Sequence, residues 1–110
     1  MEISARNEGS VAVLEVAGDI DGKTAPAFQA QVLAQIQPGA RILLDMEKVG
    51  FMSSAGLRVM LLTYREATGK QARLVLSGLN EGVRTSMAAT GFIKFFTVRG
   101  SLAEGLAALE

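Results

Sequence analysis

The sequence predicts an α/β domain built on a mostly parallel sheet, with the element order ββαβαβαβα. Turn-forming residues at Asn7-Glu8-Gly9 separate two apolar stretches, Ile3–Arg6 and Val11–Ala17, a pattern typical of an antiparallel hairpin. After the hairpin, short apolar stretches alternate with segments whose apolar residues recur at helical spacing, which indicates parallel strands joined by crossover helices. At 110 residues, the chain has the usual length of one domain, assigned here to residues 1–110.

The first helix is predicted from its start signals and from one apolar stripe. It follows a loop at Asp19–Gly22, and Thr24 is placed to cap it. Pro26 falls in its first turn, where a missing N–H costs nothing. Pro38 and Gly39 are predicted to end the helix. The buried side of the helix is marked by Phe28, Val32 and Ile36.

The remaining elements follow from short apolar strands and from capping residues. Ile42–Leu44 and Leu74–Leu76 are wholly apolar, as expected of parallel strands that are covered on both faces. Between them, a long helix is predicted from Ser53 to Thr68, with Gly69 at its C′ position. The last three elements are a helix capped by Asn80 and closed by Gly91, a strand over Phe95–Val98, and a helix that opens with a capping box from Ser101 to Glu104.

The composition excludes several classes of function. Eleven basic and eleven acidic residues cancel, whereas nucleic-acid-binding domains usually carry net positive charge, so we expect no nucleic acid partner. The chain has no Cys and no His, which removes thiolate nucleophiles, His general bases and the commonest metal ligands. Apolar runs reach only four residues, against about 20 in a membrane helix, so we expect no membrane segment and a cytoplasmic protein. A binding role without metal or cofactor is therefore favoured over an enzymatic one.

The most unusual segment is the serine loop, Val49–Leu57, which places two hydroxyls at the start of the long helix. Backbone N–H groups are unpaired there, and the helix dipole is positive. Ser53 is interpreted most simply as an N-cap, because serine is common at that position. The functional interpretation is that Ser54, in the first turn, accepts a phosphoryl group, whose charge is favoured at a helix N-terminus. The two interpretations are compatible, one for each serine.

Three residues around the serine loop have a structural and a functional interpretation. Asp21 either ties down its own turn through an Asx hydrogen bond or takes part in a site. Asp45 either accepts N–H bonds from the loop after it or has a functional role. Gly56 lies inside the long helix, where glycine costs about 1 kcal/mol relative to alanine, so it indicates close approach by a partner or by another part of the fold.

The long helix carries two apolar stripes. Leu57, Met60, Leu61 and Tyr64 form the stripe that is expected to face inward, and Ala55, Val59 and Leu62 lie on a different arc. This second arc either is covered by a neighbouring helix or marks a partner site. The partner-site hypothesis joins the arc to the serine loop and to the Asp21 loop. The residues assigned to this surface are Asp21, Met52, Ser53, Ala55, Gly56, Arg58, Val59 and Leu62.

Four strings in a fixed order carry a family resemblance. They are Gly18-Asp19-Ile20-Asp21 with Thr24-Ala25, then Leu44-Asp45, then Phe51-Met52-Ser53-Ser54-Ala55-Gly56-Leu57, and finally Gly91-Phe92. Over essentially its whole length, the chain resembles a STAS domain of the anti-sigma factor antagonist type. The resemblance implies a module whose unphosphorylated form binds an anti-sigma factor that is also a serine kinase, which frees the sigma factor. Phosphorylation then breaks the complex, and a phosphoserine phosphatase resets it.

The resemblance also implies roles for individual residues. The family's phosphorylated serine, two residues before the Gly-Leu pair, falls on Ser54, and the Asp of the Gly-x-x-Asp loop falls on Asp21 beside it. Ser53 stands where many relatives have Asp, and Ala55 stands where others have Ser or Thr. Ser53 is therefore kept as the alternative acceptor. We expect the protein to be a monomer or a weak dimer.

Two other functions compete with this interpretation. A STAS accessory subunit of a transporter or another regulatory complex would keep the fold and need no phosphorylation. A serine hydrolase would need the G-x-S-x-G motif and a base, but Met52 precedes Ser54 by two residues and the chain has no His. No Gly-Lys-Ser or Gly-Lys-Thr is present to cradle a nucleotide phosphate, so any ATP is expected to be bound by the partner.

Overall fold

The computed structural model describes all 110 residues as a five-stranded sheet with helices on both faces. The strands lie in chain order, with β1 antiparallel to β2 and the other neighbours parallel. The predicted fold class and element order are confirmed. The elements are β1 (Glu2–Glu8), β2 (Val11–Ala17), α1 (Ala25–Leu33), β3 (Arg41–Lys48), α2 (Ser54–Gly69), β4 (Arg73–Ser77), α3 (Glu81–Ala89), a 3₁₀ turn (Phe92–Phe95), β5 (Thr97–Arg99) and α4 (Leu102–Ala108).

The two faces of the sheet have separate cores because successive strand residues point to opposite sides. On β3, Ile42 and Leu44 join a core of 20 buried residues beneath α1, α2 and α3. The intervening Leu43 joins a core of five buried residues on the other face. There α4 covers the sheet alone, through partly buried residues such as Leu102 and Leu106.

The hairpin turn is shorter than predicted. Glu8 pairs with Val11, so the turn consists of Gly9 and Ser10 alone. Only Gly9 has a positive φ, of 60°, and Asn7 continues the strand opposite Ala12. A polar residue is compatible with that position because β1 is an exposed edge strand.

Three helix and strand ends also differ from the predictions. α1 ends at Leu33, yet Ile36 is still buried, in the turn that follows the helix. Gly69 is the last residue of α2, and Gln71 takes the left-handed conformation with a φ of 56°. The last strand starts at Thr97 rather than Phe95. The preceding residues form a 3₁₀ turn, at the end of which Phe95 packs tilted and Phe96 packs edge-on against the Tyr64 ring, each with ring centroids 5.5 Å from it.

No helix in the structure combines the length and the apolar character needed to cross a bilayer.

Candidate functional site

The loops that leave the carboxyl ends of β2, β3 and β4 meet at one edge of the sheet. Backbone hydrogen bonds join the first two: the N–H of Ile20 donates to the carbonyl of Phe51 at 3.0 Å, and the N–H of Ser53 donates to the carbonyl of Ile20 at 2.9 Å. The third loop joins through Asn80, whose amide donates to the carbonyls of Val49 and Gly50, both at 3.1 Å. The three loops are therefore held together by hydrogen bonds at the carboxyl end of the sheet.

The two serines at the start of α2 have different surroundings. Ser53 is the N-cap, with extended backbone at φ −81° and ψ 177°, and its Oγ accepts a hydrogen bond from the N–H of Gly56 at 3.3 Å. Ser54 is the first helical residue, its side chain is exposed, and its hydroxyl makes no hydrogen bond. The capping role of Ser53 is confirmed, and the hydroxyl of Ser54 is left free at the surface.

Asp21 organises the loop that lies beside the serine loop. Its Oδ1 accepts hydrogen bonds from the N–H groups of Lys23 at 2.9 Å and Thr24 at 3.1 Å. The bond from Thr24 and then the bond from Lys23 lower the pKa of the Asp21 carboxyl, because both favour its charged form. The structural interpretation of Asp21 is confirmed, and its contact with a partner stays a prediction.

The role predicted for Thr24 as a side-chain cap is wrong. Its Oγ1 donates to the carbonyl of Asp19 at 2.8 Å and accepts from the N–H of Asp21 at 2.9 Å. Both bonds point back into the loop, so the hydroxyl makes no capping bond to α1 although Thr24 holds the N-cap position. The free N–H groups just before α1 are bound by the Asp21 carboxylate instead.

Asp45 also has a structural partner. It is buried on β3, and its Oδ1 accepts a hydrogen bond from the N–H of Glu47 at 3.1 Å. Strand alternation places Asp45 on the same face as Leu43, beneath α4. It therefore lies on the opposite side of the sheet from the start of α2.

Gly56 brings α2 against the loop after β2. A Cβ atom on this residue would lie 2.5 Å from the carbonyl oxygen of Ile20 and 2.8 Å from Cγ of Met52. Ile20 and Met52 form an isolated parallel bridge at this point. Glycine is therefore required by packing within the fold, and its predicted contact with a partner is not supported by this buried position.

Of the two interpretations of the second arc, cover by a neighbouring helix is confirmed for Val59. The assignment of Met52 and Val59 to an accessible partner surface is wrong, because both side chains are buried. Val59 is 8% exposed and Met52 is 3% exposed, and both belong to the larger core. α1 covers this arc of α2, so that Val59 borders a groove shared with Ala25 and Pro26. Leu62 is 40% exposed and Ala55 is half-buried, so only these two members of the predicted apolar surface are accessible.

A depression lies on each side of the Ser54 hydroxyl. One, of about 330 Å³, separates the start of α2 from α1. The other, of about 310 Å³, separates α2 from the end of α3 and the 3₁₀ turn, where Thr90 and Phe92 line it. Ser54 and Arg58 line both depressions and so form a ridge between them.

Phe51 is a surface residue that was not predicted from the sequence. It is 54% exposed, whereas the adjacent Met52 is buried. The signal was present in the string itself, because neighbouring residues of an extended segment point to opposite sides. Phe51 therefore adds an aromatic side chain to the surface of the serine loop.

Comparisons with known proteins agree with this fold. The model of the STAS domain family matches residues 2–105. The chain is 34% identical over 94 residues to BtrV of Bordetella bronchiseptica, named as a candidate anti-sigma factor antagonist, with 84% of this chain and 81% of that protein covered. It is 29% identical over 100 residues to the anti-sigma-B factor antagonist of Listeria monocytogenes, with 90% and 87% covered.

A solved structure gives the same result. The crystal structure of an anti-sigma factor antagonist from Mycobacterium paratuberculosis superposes with a TM-score of 0.88 at 25% identity, covering 98% of this chain and 92% of that one. The family match, the sequence relatives and the superposition all span most of the chain. The chain therefore belongs to the STAS domain family.

Proposed function

We propose that this protein is an anti-sigma factor antagonist that is switched by phosphorylation of Ser54. In the unphosphorylated state it binds an anti-sigma factor that is also a serine kinase, and the sigma factor is released. The relatives' names support the general role. The observation that carries the choice of residue is the contrast between Ser53, whose Oγ is engaged in capping, and Ser54, whose hydroxyl is exposed and free.

The transfer itself requires nothing catalytic from this chain. The γ-phosphoryl group passes from ATP, bound by the kinase, to the Oγ of Ser54, and ADP and the hydroxyl proton leave. A phosphoserine phosphatase later hydrolyses the ester with water and regenerates the hydroxyl. The role proposed for this chain is therefore that of a binding module and a substrate.

The fold is suited to carry the phosphate without rearrangement. Ser54 stands in the first turn of α2, where N–H groups are unpaired and the dipole favours an anion. Because Ser53 keeps the cap, the modification does not compete with the bond that starts the helix. We therefore expect the phosphorylated chain to keep the same fold and a similar free energy of unfolding.

The partner's response is expected to be the opposite. The serine loop and α2 present apolar side chains at the surface, namely the exposed Phe51 and Leu62 and the half-buried Ala55. A phosphate brings about −1.5 to −2 charges, which an apolar or acidic partner surface must desolvate or repel. A loss of about 3 kcal/mol is enough to weaken binding more than a hundredfold.

The test is phosphosite mapping after the kinase has been captured from cell extract with the unmodified protein. Incubation with the kinase and ATP is expected to place phosphate on Ser54 and to release the complex. Ser54→Ala should stay bound under the same conditions. Ser53→Ala is the matched control: it should still accept phosphate and lose about 1 kcal/mol of stability with its cap.

Two results would overturn the proposal. One is phosphate found on Ser53 alone, and the other is release of Ser54→Ala by kinase and ATP. A chain that captures a complex but is never phosphorylated would instead favour the STAS accessory subunit.

A further inference from the structure

Arg58 is an unpaired cation one helical turn after Ser54. It is exposed, and the cations that form ion pairs in the structure are Arg6, Lys48 and Lys70. No hydrogen bond holds its guanidinium in place either. The charge of Arg58 is therefore available to a group that arrives at this surface.

Arg58 and Ser54 also share their surroundings. They line the two depressions on either side of the start of α2 together, and Arg58 is the only charged residue that lines either one. The facing residues from the other elements are uncharged: Gly22, Ala25, Pro26 and Gln29 on one side, Thr90 and Phe92 on the other. Asp21, next to Gly22, makes no ion pair in the structure, and its Oδ1 accepts hydrogen bonds from N–H groups of its own loop. No other charged side chain that lines either depression competes for the guanidinium.

Helix geometry directs this side chain towards Ser54. Long side chains on a helix lean towards its N-terminus, so Arg58 extends over the preceding turn. Residues four apart are neighbours on the surface, and an anion placed N-terminal to a cation is the favourable order. A guanidinium also matches a phosphate with two parallel hydrogen bonds. A phosphate on Ser54 would find Arg58 within reach and without another partner.

We propose that Arg58 changes partners during the switch. In the unmodified protein its charge binds an acidic group of the anti-sigma partner, and after phosphorylation its side chain folds onto the phosphate of Ser54. This inference rests on the proposed function. Phosphorylation thus acts twice on the partner surface, because it adds an anion and also withdraws the only cation that lines the two depressions.

The first experiment measures capture of the guanidinium directly. Phosphoserine is installed at position 54 during protein synthesis, and its second ionisation is followed by phosphorus NMR in the full chain. Arg58→Gln should raise the second pKa of the phosphate, because a nearby cation favours the dianion. Arg58→Lys keeps a positive charge and should bring the pKa part of the way back down. The Nε–H resonance of Arg58 should shift when the phosphate is present.

Arg65→Gln is the matched control. Arg65 is exposed on the same helix and makes no ion pair. Arg65 follows Ser54 by eleven residues, so it lies on nearly the same side of α2 as Ser54 but about 16 Å further along the helix axis. It should leave the titration unchanged. An Arg58→Gln titration equal to the unsubstituted protein, or equal to Arg65→Gln, would overturn the proposal.

The second experiment measures the unmodified state. Arg58→Gln should weaken binding of the captured anti-sigma partner about threefold, the scale of an exposed ion pair. In proteins with phosphoserine at position 54, the same substitution should not weaken binding of the partner any further. An equal cost in both states would contradict the change of partners. The phosphate is installed without the kinase, so the two proposals can fail separately. If the phosphate pKa depends on Arg58 as expected but no kinase phosphorylates Ser54, the proposed function is contradicted and the pairing of Arg58 with the phosphate is not.

Discussion

The two faces of the sheet are stabilised very differently. One carries three helices over 20 buried residues, and the other carries the short α4 over five. The serine loop and α2 belong to the first face, so the proposed switch is built on the better-packed side of the molecule. We therefore expect the exposed hydroxyl of Ser54 to accept a phosphate without unfolding of the chain, because a large core holds the backbone below it. It also means that substitutions at the edge of that core are severe.

The largest effect is expected from a charge placed under α1. Val59→Glu buries a carboxylate in the larger core, because Val59 is only 8% exposed and belongs to that cluster. We expect the free energy of unfolding to fall by about 4 kcal/mol or more, which denaturant unfolding measures directly. Leu62→Glu, on the same arc but 40% exposed, is the control and should unfold almost normally. Equal stability of the two variants would show that α1 does not cover the arc in solution.

A glycine on each face provides the next test of the comparison. Gly56→Ala places a methyl group 2.5 Å from a backbone oxygen that cannot easily move, so we expect a loss of about 2 kcal/mol. Gly105→Ala on α4 meets Cδ1 of Leu43 at 2.7 Å, the end of a flexible side chain. The higher helix propensity of alanine, about 1 kcal/mol, offsets much of that crowding.

The readout for both glycine variants is the denaturant midpoint at constant m-value. A larger loss for Gly105→Ala would reverse the ranking of the two faces. It would mean that the smaller core has less room to adjust than the larger one.

The smallest effects are expected from two partly exposed carboxylates, one on the face covered by α4 and one beside the serine loop. The pKa of Glu15, on the face of α4, is lowered chiefly by the hydrogen bond and charge of Lys48 at 2.9 Å. The pKa of Asp21, beside the serine loop, is lowered by backbone hydrogen bonds. A carboxyl group whose pKa is lower in the folded state stabilises the fold at pH values above its unfolded-state pKa. That stabilisation is lost as the pH falls through its folded-state pKa.

The two carboxylates should differ in how their contributions to stability depend on salt concentration. For Asp21 the pH window lies below its ordinary pKa of 3.8, and for Glu15 it lies below 4.5. Glu15→Gln and Asp21→Asn should each flatten part of the acid dependence of unfolding. The contribution of Glu15 should shrink at high ionic strength, because the attraction between exposed charges is screened. The contribution of Asp21 should persist, and its disappearance in salt would show that hydrogen bonding is not its main cause.

Features that depend on neighbouring residues were predictable from the sequence. The cap at Ser101 is an example: the N–H of Glu104 donates to Oγ of Ser101 as predicted. The other half of the capping box differs, because the Glu104 carboxylate accepts from the Ser101 hydroxyl and not from the Ser101 backbone N–H. The caps at Ser53 and Asn80 are equally local. The element order followed from the same signals, because turn chemistry and apolar periodicity act within a few residues. For the same reason the start of α2 could be located before the fold was known.

Tertiary structure decided which side chains of the second arc of α2 are buried. Its apolar spacing is the same whether the arc meets solvent, a partner or another helix, so periodicity alone left Val59 open. α1 packs across that arc and buries Val59, while Leu62 stays at the surface. The pairing of Ser54 with two depressions likewise depends on where α1 and the 3₁₀ turn end up. Local sequence specifies which residues begin a helix, but burial depends on elements distant in the chain, whose approach no local pattern encodes.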